Sequence, residues 1–288
     1  MRSINRRELL QLAAAMGAAT TIPSFADAAS GTGMRLGLVT YQWAKDMDLP
    51  TVISTCEKSG LTGVELRTMH KHGVEPTLSK AQRAEVKKRF ADSKVTLVGY
   101  GSNCEYHSPD PAVVKKNIED TKAYVQLMHD CGGSGVKVKP NNLPKDVSRE
   151  KTVEQIGKAF NEVAAYAANF GQKIRVEVHG SLTQNPTVMK EIFDVATHKN
   201  CYVCWNSNDE DLVSPGLEAN FNMLKGRFGD TVHVRELDLG DYPYPQLMKL
   251  FKAMNYKGWL LLEARTEPAD KVAAMKHQLD VFNKLIAS

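Results

Sequence analysis

A short stretch at 173–180 alternates between apolar and polar residues in the manner of a half-buried strand. An isoleucine and two valines fall on one side, and an arginine, Glu177 and His179 fall on the other. An ordinary strand of this kind carries small polar residues on its wet face. This one carries a carboxylate and an imidazole at its end, directly before Gly180, which indicates a strand end with a chemical role.

Three later stretches have the same form, with apolar residues that lead into polar ones. They lie at 201–206, 231–236 and 258–263. Polar residues near these strand ends recur at intervals of about 30 residues, roughly the length of one strand, loop, helix and loop. The recurring set is Glu177, Asn206, His233 and Glu263.

The rest of the chain continues the alternation of strands and helices. Earlier strands are predicted at 35–40, 62–67, 95–99 and 135–139. Helices are predicted at 49–59, 79–93, 111–131, 149–170, 186–198, 216–228, 245–254 and 268–285. This pattern predicts a single (β/α)8 TIM barrel. A doubly wound sheet would need a glycine-rich phosphate loop after the first strand, and 39–42 supplies none.

In a closed parallel barrel the carboxyl ends of the strands meet at one rim, where barrel enzymes carry their active sites. The recurring polar residues would therefore come together there. Two carboxylates, an amide oxygen and an imidazole suit Mn²⁺, Mg²⁺, Co²⁺ or Zn²⁺. The predicted metal ligands are Glu177, Asn206, His233 and Glu263.

Composition places the chain among ordinary soluble globular proteins. Its 288 residues are 42% hydrophobic and 24% charged, and the net charge of +4 is small for this length. The basic residues are scattered, so charge gives no argument for a nucleic-acid partner. Five cysteines without a framework spacing predict no disulfide scaffold, and Cys201 and Cys204 would face opposite sides of a strand as buried structural residues.

The N-terminus carries the signs of an export signal. Arg6 and Arg7 precede a weakly apolar run at 12–22, and a small-x-small cleavage pattern follows at 26–28. This resembles a twin-arginine signal, which would be cleaved as residues 1–28 and leave a periplasmic barrel domain at 29–288. The alternative is an ordinary amphipathic helix. The run is too short and alanine-rich to span a bilayer, and no second apolar run appears, so stable membrane anchoring is not expected.

Four short motifs resemble the xylose-isomerase-like barrel superfamily, and more closely its sugar phosphate isomerase/epimerase branch. They are Glu-x-His at 177–179, Val-His-Val at 232–234, Leu-Leu-Glu at 261–263 and Gly-Val-Glu-Leu-Arg at 63–67. The resemblance extends over about residues 35–286. It implies a divalent metal held by Glu177, the strand-six residue, His233 and Glu263.

Strand six departs from the family pattern, because many relatives carry an aspartate where this chain has Asn206. An asparagine oxygen can coordinate a hard cation but adds no charge, so the ligand set loses one of three negative charges. Weaker affinity or a different metal preference would follow. Asp209 is an alternative ligand in this loop, and Glu236 is the corresponding alternative to His233.

The resemblance also implies a mechanism, in which two carboxylates exchange a proton beside a metal-polarised sugar carbonyl. Glu177 and Glu263 are the predicted catalytic pair, unless they are structural and paired to Arg175 or Arg235. The predicted substrate-binding residues are His179, Arg235, Glu236, Lys139, Glu65 and His107, with Arg67 a weaker candidate. Lys137 shares a strand face with Lys139 and would face substrate or pair with a glutamate.

The predicted function is that of a divalent-metal-dependent sugar isomerase or epimerase. Its partner would be a small unphosphorylated sugar or glycoside, and a homo-oligomer is left open. A metal-dependent lyase or hydratase acting on 3-keto-glycosides would use the same base and metal. A non-catalytic sugar-binding barrel is the alternative outside enzymes. A DNA-repair endonuclease of the same superfamily is disfavoured, because a periplasmic protein meets no genomic DNA and the extra metal ligands are lacking.

Overall fold

The computed structural model describes residues 32–288, and the predicted export signal lies outside this range. Within it, the strands are Arg35–Val39 (β1), Gly63–Arg67 (β2), Thr96–Glu105 (β3), Gly135–Lys139 (β4), Lys173–Glu177 (β5), Cys201–Cys204 (β6), Thr231–Val234 (β7) and Trp259–Leu262 (β8). The helices are Leu49–Ser59 (α1), Lys80–Ala91 (α2), Pro111–Cys131 (α3), Arg149–Ala168 (α4), Pro186–Val195 (α5), Leu217–Leu224 (α6), Tyr244–Ala253 (α7) and Lys271–Ala287 (α8).

All strand pairs are parallel, and neighbouring strands run in the order β6-β5-β4-β3-β2-β1-β8-β7. Between β6 and β7 the ring is completed by isolated parallel bridges, one of which joins Asn206 to His233. There the backbone N–H of His233 donates to the carbonyl of Trp205 at 2.7 Å. The prediction of a single (β/α)8 TIM barrel is confirmed, and the ring closes at two of the predicted metal ligands.

Helix starts follow local sequence. Helix α2 begins after Ser79, whose side chain accepts the backbone N–H of Gln82 while the Gln82 side chain accepts the backbone N–H of Ser79, a capping box. Helix α1 has Asp48 as its N-cap and Pro50 in its first turn, and it ends at Gly60, whose φ of 85° favours glycine.

Several element ends differ from the predictions, two of them because of contacts distant in sequence. Helix α5 stops at Val195 rather than at 198, because the Asn161 side chain donates to the Val195 carbonyl and accepts the backbone N–H of His198. Strand β3 was expected to end at 99, but it continues to Glu105, which pairs in register with Lys139 of β4 after an irregularity. The long β3 places the start of the predicted polar loop inside the sheet.

Arg175 fills the barrel interior at the amino end of the strands. Its buried guanidinium donates to Asp230 through Nε at 3.0 Å and to the Val98 carbonyl at 2.9 Å. A Cβ at Gly99 would lie 2.2 Å from Arg175 Nη1, so only glycine leaves room for this side chain. Arg175 therefore pairs with an aspartate at the opposite end from the predicted site, and not with Glu177.

The five cysteines are buried free thiols. Within residues 32–288, no helix is long and apolar enough to cross a membrane.

Candidate metal centre

His233 lies at the centre of the predicted site, on β7 and fully buried. Its Nδ1 is 3.5 Å from Oε1 of Glu177, at the end of β5, and 3.8 Å from Oε2 of Glu263, directly after β8. One ligand atom from each of the three residues lies within 4.8 Å of the others. Three strand ends separated by βα units thus bring an imidazole and two carboxylates to one point.

The far side of the same ring faces Glu65 of β2. Nε2 of His233 lies 3.2 Å from Oε1 of Glu65, and both side chains are inaccessible to solvent. In the described part of the chain, neither ring nitrogen of His233 and neither oxygen of Glu65 has a hydrogen-bond partner of good geometry. A histidine that ligates a metal through one nitrogen commonly directs its other N–H to a carboxylate. The residues present therefore fit a divalent cation at the Nδ1 side, with Glu65 orienting the ring.

Asn206 completes the donor set from the loop after β6. Its Nδ2 donates to Oε1 of Glu177 at 3.0 Å, and the side chain is buried. An amide presents an oxygen and a nitrogen at equivalent positions, so a half turn of the group would bring Oδ1 to the same place. The separation is that of neighbouring ligands around a cation with a metal–oxygen distance of about 2.1 Å. Asp209, the alternative ligand, is 89% exposed and lies 3.7 Å from Nη1 of Arg235.

Each of the two carboxylates also contacts a cation. Oε2 of Glu177 accepts from Nζ of Lys137 at 2.6 Å, and Oε1 of Glu263 accepts from Nη1 of Arg67 at 3.0 Å. If the two carboxylates had only a structural role, they were expected to pair with Arg175 or Arg235. Their partners are Lys137 and Arg67 instead. Burial alone would raise the pKa of Glu177, but the Lys137 ammonium and the His233 ring outweigh it and hold that pKa well below its usual range.

His179 and Lys139 stand at the rim above this cluster. Nδ1 of His179 lies 3.1 Å from Oδ1 of Asn141, and Asn141 in turn forms a bridge with Gly180 that joins the ends of β4 and β5. Lys139 is half-buried, and its side chain makes no hydrogen bond or ion pair with any residue of the described chain. Burial, and then the nearby Lys137 ammonium, lower the pKa of Lys139. The Lys139 ammonium and Nε2 of His179, which has no hydrogen-bond partner in the described chain, are placed to meet a polar ligand.

The other predicted substrate-binding residues are placed differently. The Glu236 carboxylate accepts the backbone N–H groups of Arg265 and Thr266, so it holds the loop after β8. Arg235 is partly exposed near Asp209, and His107 is half-buried in the loop after β3. In the part of the chain described, no hydrogen bond or ion pair connects Glu236 or His107 to the four donors.

Two residues of the site were not selected from the sequence. The sequence indicates only that Lys137 shares a strand face with Lys139. Its pairing with a glutamate is one of the two outcomes expected for Lys137. Asn141 gave no signal beyond stopping β4. The polar contact between Asn141 and Glu105 depends on the unexpected length of β3.

The chain belongs to the xylose isomerase-like TIM barrel family, whose sequence profile matches residues 53–209. A comparison with curated protein sequences finds no significant match.

Several solved structures share the fold. L-ribulose 3-epimerase aligns with a TM-score of 0.76 at 16% identity, over 88% of this chain and 95% of that one. The 3-keto-D-glucoside 4-epimerase YcjR from E. coli, in its apo form, aligns with a TM-score of 0.73 at 13% identity, over 87% and 99%. The IOLI protein with a bound zinc atom aligns with a TM-score of 0.75 at 14% identity, over 88% and 98%. At these identities the likeness establishes the fold.

Proposed function

We propose that this protein is a divalent-metal-dependent sugar isomerase or epimerase that acts on an unphosphorylated sugar or glycoside. The observation that carries the proposal is the pair of carboxylates, Glu177 and Glu263, that face one nitrogen of a buried imidazole. The family and the sugar epimerases among the similar structures support the same class of enzyme.

The ligands in this proposal are Glu177, Asn206, His233 and Glu263. When bound, Mn²⁺, Mg²⁺, Co²⁺ or Zn²⁺ would polarise a sugar carbonyl and the neighbouring hydroxyl. The fit rests on the ring nitrogens of His233, which face carboxylates on both sides and, among the described residues, have no hydrogen-bond partner of good geometry. Glu65, on the other side of that ring and inaccessible to solvent, would fix its orientation.

The two carboxylates would move the proton at the carbon beside the carbonyl. Glu263 has Oε1 held by Arg67 and Oε2 directed to the interior, and it is more accessible than Glu177. We therefore assign the first proton transfer to Glu263 and the return transfer to Glu177. His179 and Lys139 would hold substrate oxygens at the rim, and Arg235 would do so from the β7 side.

Solvent exchange tests this function. The mature chain would be loaded with each metal in turn and incubated with unphosphorylated ketoses, aldoses and 3-keto-glycosides in deuterium oxide. Deuterium at one sugar carbon, lost on chelation and absent in Glu177→Ala, would support the proposal. Release of the group attached to the sugar would identify a lyase instead. Metal binding without deuterium in any sugar would leave a non-catalytic sugar-binding barrel.

We also propose export to the periplasm through the twin-arginine pathway. Support comes from the sequence: the paired Arg6 and Arg7, the weakly apolar run at 12–22 and the small residues at 26–28. A periplasmic enzyme would meet unphosphorylated sugars and glycosides rather than sugar phosphates, which agrees with the substrate class above.

A further inference from the structure

The two carboxylates that face His233 are held in the same way. Each has one oxygen toward the imidazole and the other oxygen against a cation from a different strand. For Glu177 the cation is Lys137 of β4, with Nζ at 2.6 Å, and for Glu263 it is Arg67 of β2, with Nη1 at 3.0 Å. We use the term cation clamps for Lys137 and Arg67.

The cation clamps are built into the barrel. The side chains of Lys137 and Glu177 are 1% and 2% exposed, so neither leaves the interior. Gly101 of β3 makes room for this, because a Cβ there would lie 2.9 Å from Oε1 of Glu65 and 3.4 Å from Cε of Lys137. The Arg67 guanidinium lies over the ring of Tyr41, 4.9 Å from its centroid. Packing therefore fixes both cations in place.

Two consequences follow for a metal ion. First, an outer oxygen that accepts from a cation has one lone pair fewer to offer and faces a positive charge, so coordination through the inner oxygen alone is favoured. Second, the positive charges of the two cation clamps offset the negative charges of Glu177 and Glu263, and Asn206 brings no charge of its own. A divalent ion would enter a site whose ligand charge is already compensated, and like charges at such distances repel it.

We propose that Lys137 and Arg67 are positioning residues that restrict Glu177 and Glu263 to single-oxygen coordination and weaken the affinity of the site for divalent cations. The proposal rests on the metal site of the proposed function. It adds that the chain holds its metal loosely, so that the ion exchanges with solvent.

Titration with Mn²⁺, followed by the paramagnetic resonance signal of the free ion, tests the proposal on the mature chain. Lys137→Gln and Arg67→Gln each remove one charge and keep a hydrogen-bonding group. Each variant should bind Mn²⁺ at least roughly tenfold more tightly than the wild type, because a positive charge near the ion is removed. Lys137→Arg keeps the charge and should therefore not show this gain in affinity. Lys158→Gln removes a charge from the exposed surface of α4 and should also leave the affinity unchanged.

A second readout reports coordination directly. X-ray absorption of the Mn²⁺ complexes should show an additional oxygen in Lys137→Met, because methionine donates no hydrogen bond and releases the outer oxygen of Glu177. If Lys137→Gln does not fold, Arg67→Gln carries the same test at a pair that is partly accessible to solvent.

The outcomes separate this proposal from the proposed function. If the wild type binds Mn²⁺ and the folded charge-removing variants bind it equally or more weakly, the proposal for the cation clamps is wrong. The proposed metal-dependent function is then unaffected. Binding that appears only in the variants supports the clamps and overturns metal dependence of the native protein. Absence of binding in every variant overturns both.

Discussion

His233 is surrounded by carboxylates on both sides of its ring, and this defines the site at the scale of single residues. Burial disfavours the imidazolium, but the neighbouring Cys204, Glu65 and Glu177 outweigh it and raise the pKa of His233 well above its usual range. A metal ligand must be unprotonated, so an entering cation would have to displace this proton. A cation bound there would therefore compete with a proton for the His233 ring.

Glu263→Gln should abolish most of the activity without unfolding the protein. The change removes a base and keeps the volume, so the exchange rate should fall by about two to four orders of magnitude. The ion pair with Arg67 is partly accessible, so the free energy of unfolding should change by about 1 kcal/mol or less. Deuterium exchange and chemical denaturation measure the two effects. Glu267→Gln, an exposed glutamate in the same loop, is the matched control. Wild-type activity in Glu263→Gln would refute the assignment of the base.

Asn206→Asp should tighten metal binding. The substitution adds a negative charge beside Oε1 of Glu177, where the amide now donates a hydrogen bond. Ligand charge is a main determinant of affinity for hard cations, and the dissociation constant for Mn²⁺ should fall by roughly one to two orders of magnitude. Calorimetric titration measures it, with the exposed Asn255→Asp as a charge control. Equal affinity in both variants would show that position 206 does not face the metal.

At the scale of elements, the turn after β6 contains a buried carboxyl group. Asp211 lies in the 3₁₀ turn Asp209–Leu212, where its Oδ2 accepts the Tyr242 hydroxyl at 2.6 Å and the backbone N–H of Asn208 at 3.0 Å. Its Oδ1 has no hydrogen-bond partner in the described chain. Burial raises the pKa of Asp211 to about 8, although the bond from Tyr242 opposes the shift.

This carboxyl should make stability depend on pH. Between the ordinary value of 3.8 and about 8, the folded protein keeps a proton that the unfolded chain has released. The free energy of unfolding should therefore fall as pH rises through this window, by up to about 1.4 kcal/mol per pH unit. Asp211→Asn is neutral throughout and should flatten the curve. Denaturation at several pH values measures the slope, and Asp146→Asn, at an exposed site, should retain it. Identical slopes in wild type and Asp211→Asn would contradict the prediction.

At the scale of the whole molecule, the barrel separates a structural end from a chemical end. Arg175 and Asp230 pair at the amino end of the strands, and the Arg175 guanidinium holds the pKa of Asp230 down to about 2 although burial opposes it. The four predicted metal ligands lie at the carboxyl end, as expected for the active site of a TIM barrel.

Asp230→Ala should therefore destabilise the fold and spare the chemistry. It leaves the buried Arg175 charge unpaired, which should cost about 3 kcal/mol of unfolding free energy. Because the pKa of Asp230 is lowered, its contribution is present above 3.8 and lost as pH falls toward about 2. The variant should lack this acid-dependent loss, and its metal affinity per folded molecule should match the wild type. Denaturation across acidic pH and Mn²⁺ titration check both statements, and a large change in affinity would oppose the separation of the two ends.

The proposed export also concerns the whole chain. Replacing Arg6 and Arg7 by lysines should leave the protein unprocessed in the cytoplasm, because the pathway reads the arginine pair rather than its charge. Cell fractionation and N-terminal sequencing measure this, with a mature end near Ala29 expected for the wild type. The proposed periplasmic location would be wrong if the wild type is not processed, or if the variant with both arginines replaced is still exported.

The sequence by itself determined the barrel and the principal donors. Residues at about 30-residue intervals recur because each βα unit has nearly constant length, and parallel strands bring their carboxyl ends to one rim. Glu177, Asn206, His233 and Glu263 could therefore be predicted as neighbours, and the structure brings them together.

The tertiary structure alone decided which charges pair and where some elements end. Lys137 meets Glu177, Arg67 meets Glu263 and Arg175 meets Asp230, because side chains on different strands meet according to strand register, strand length and the space left by glycines. Helix α5 stops where Asn161 of another helix binds its carboxyl end. These contacts join residues distant in sequence, and the local periodicity of the chain records which face a residue lies on but not which partner it meets there.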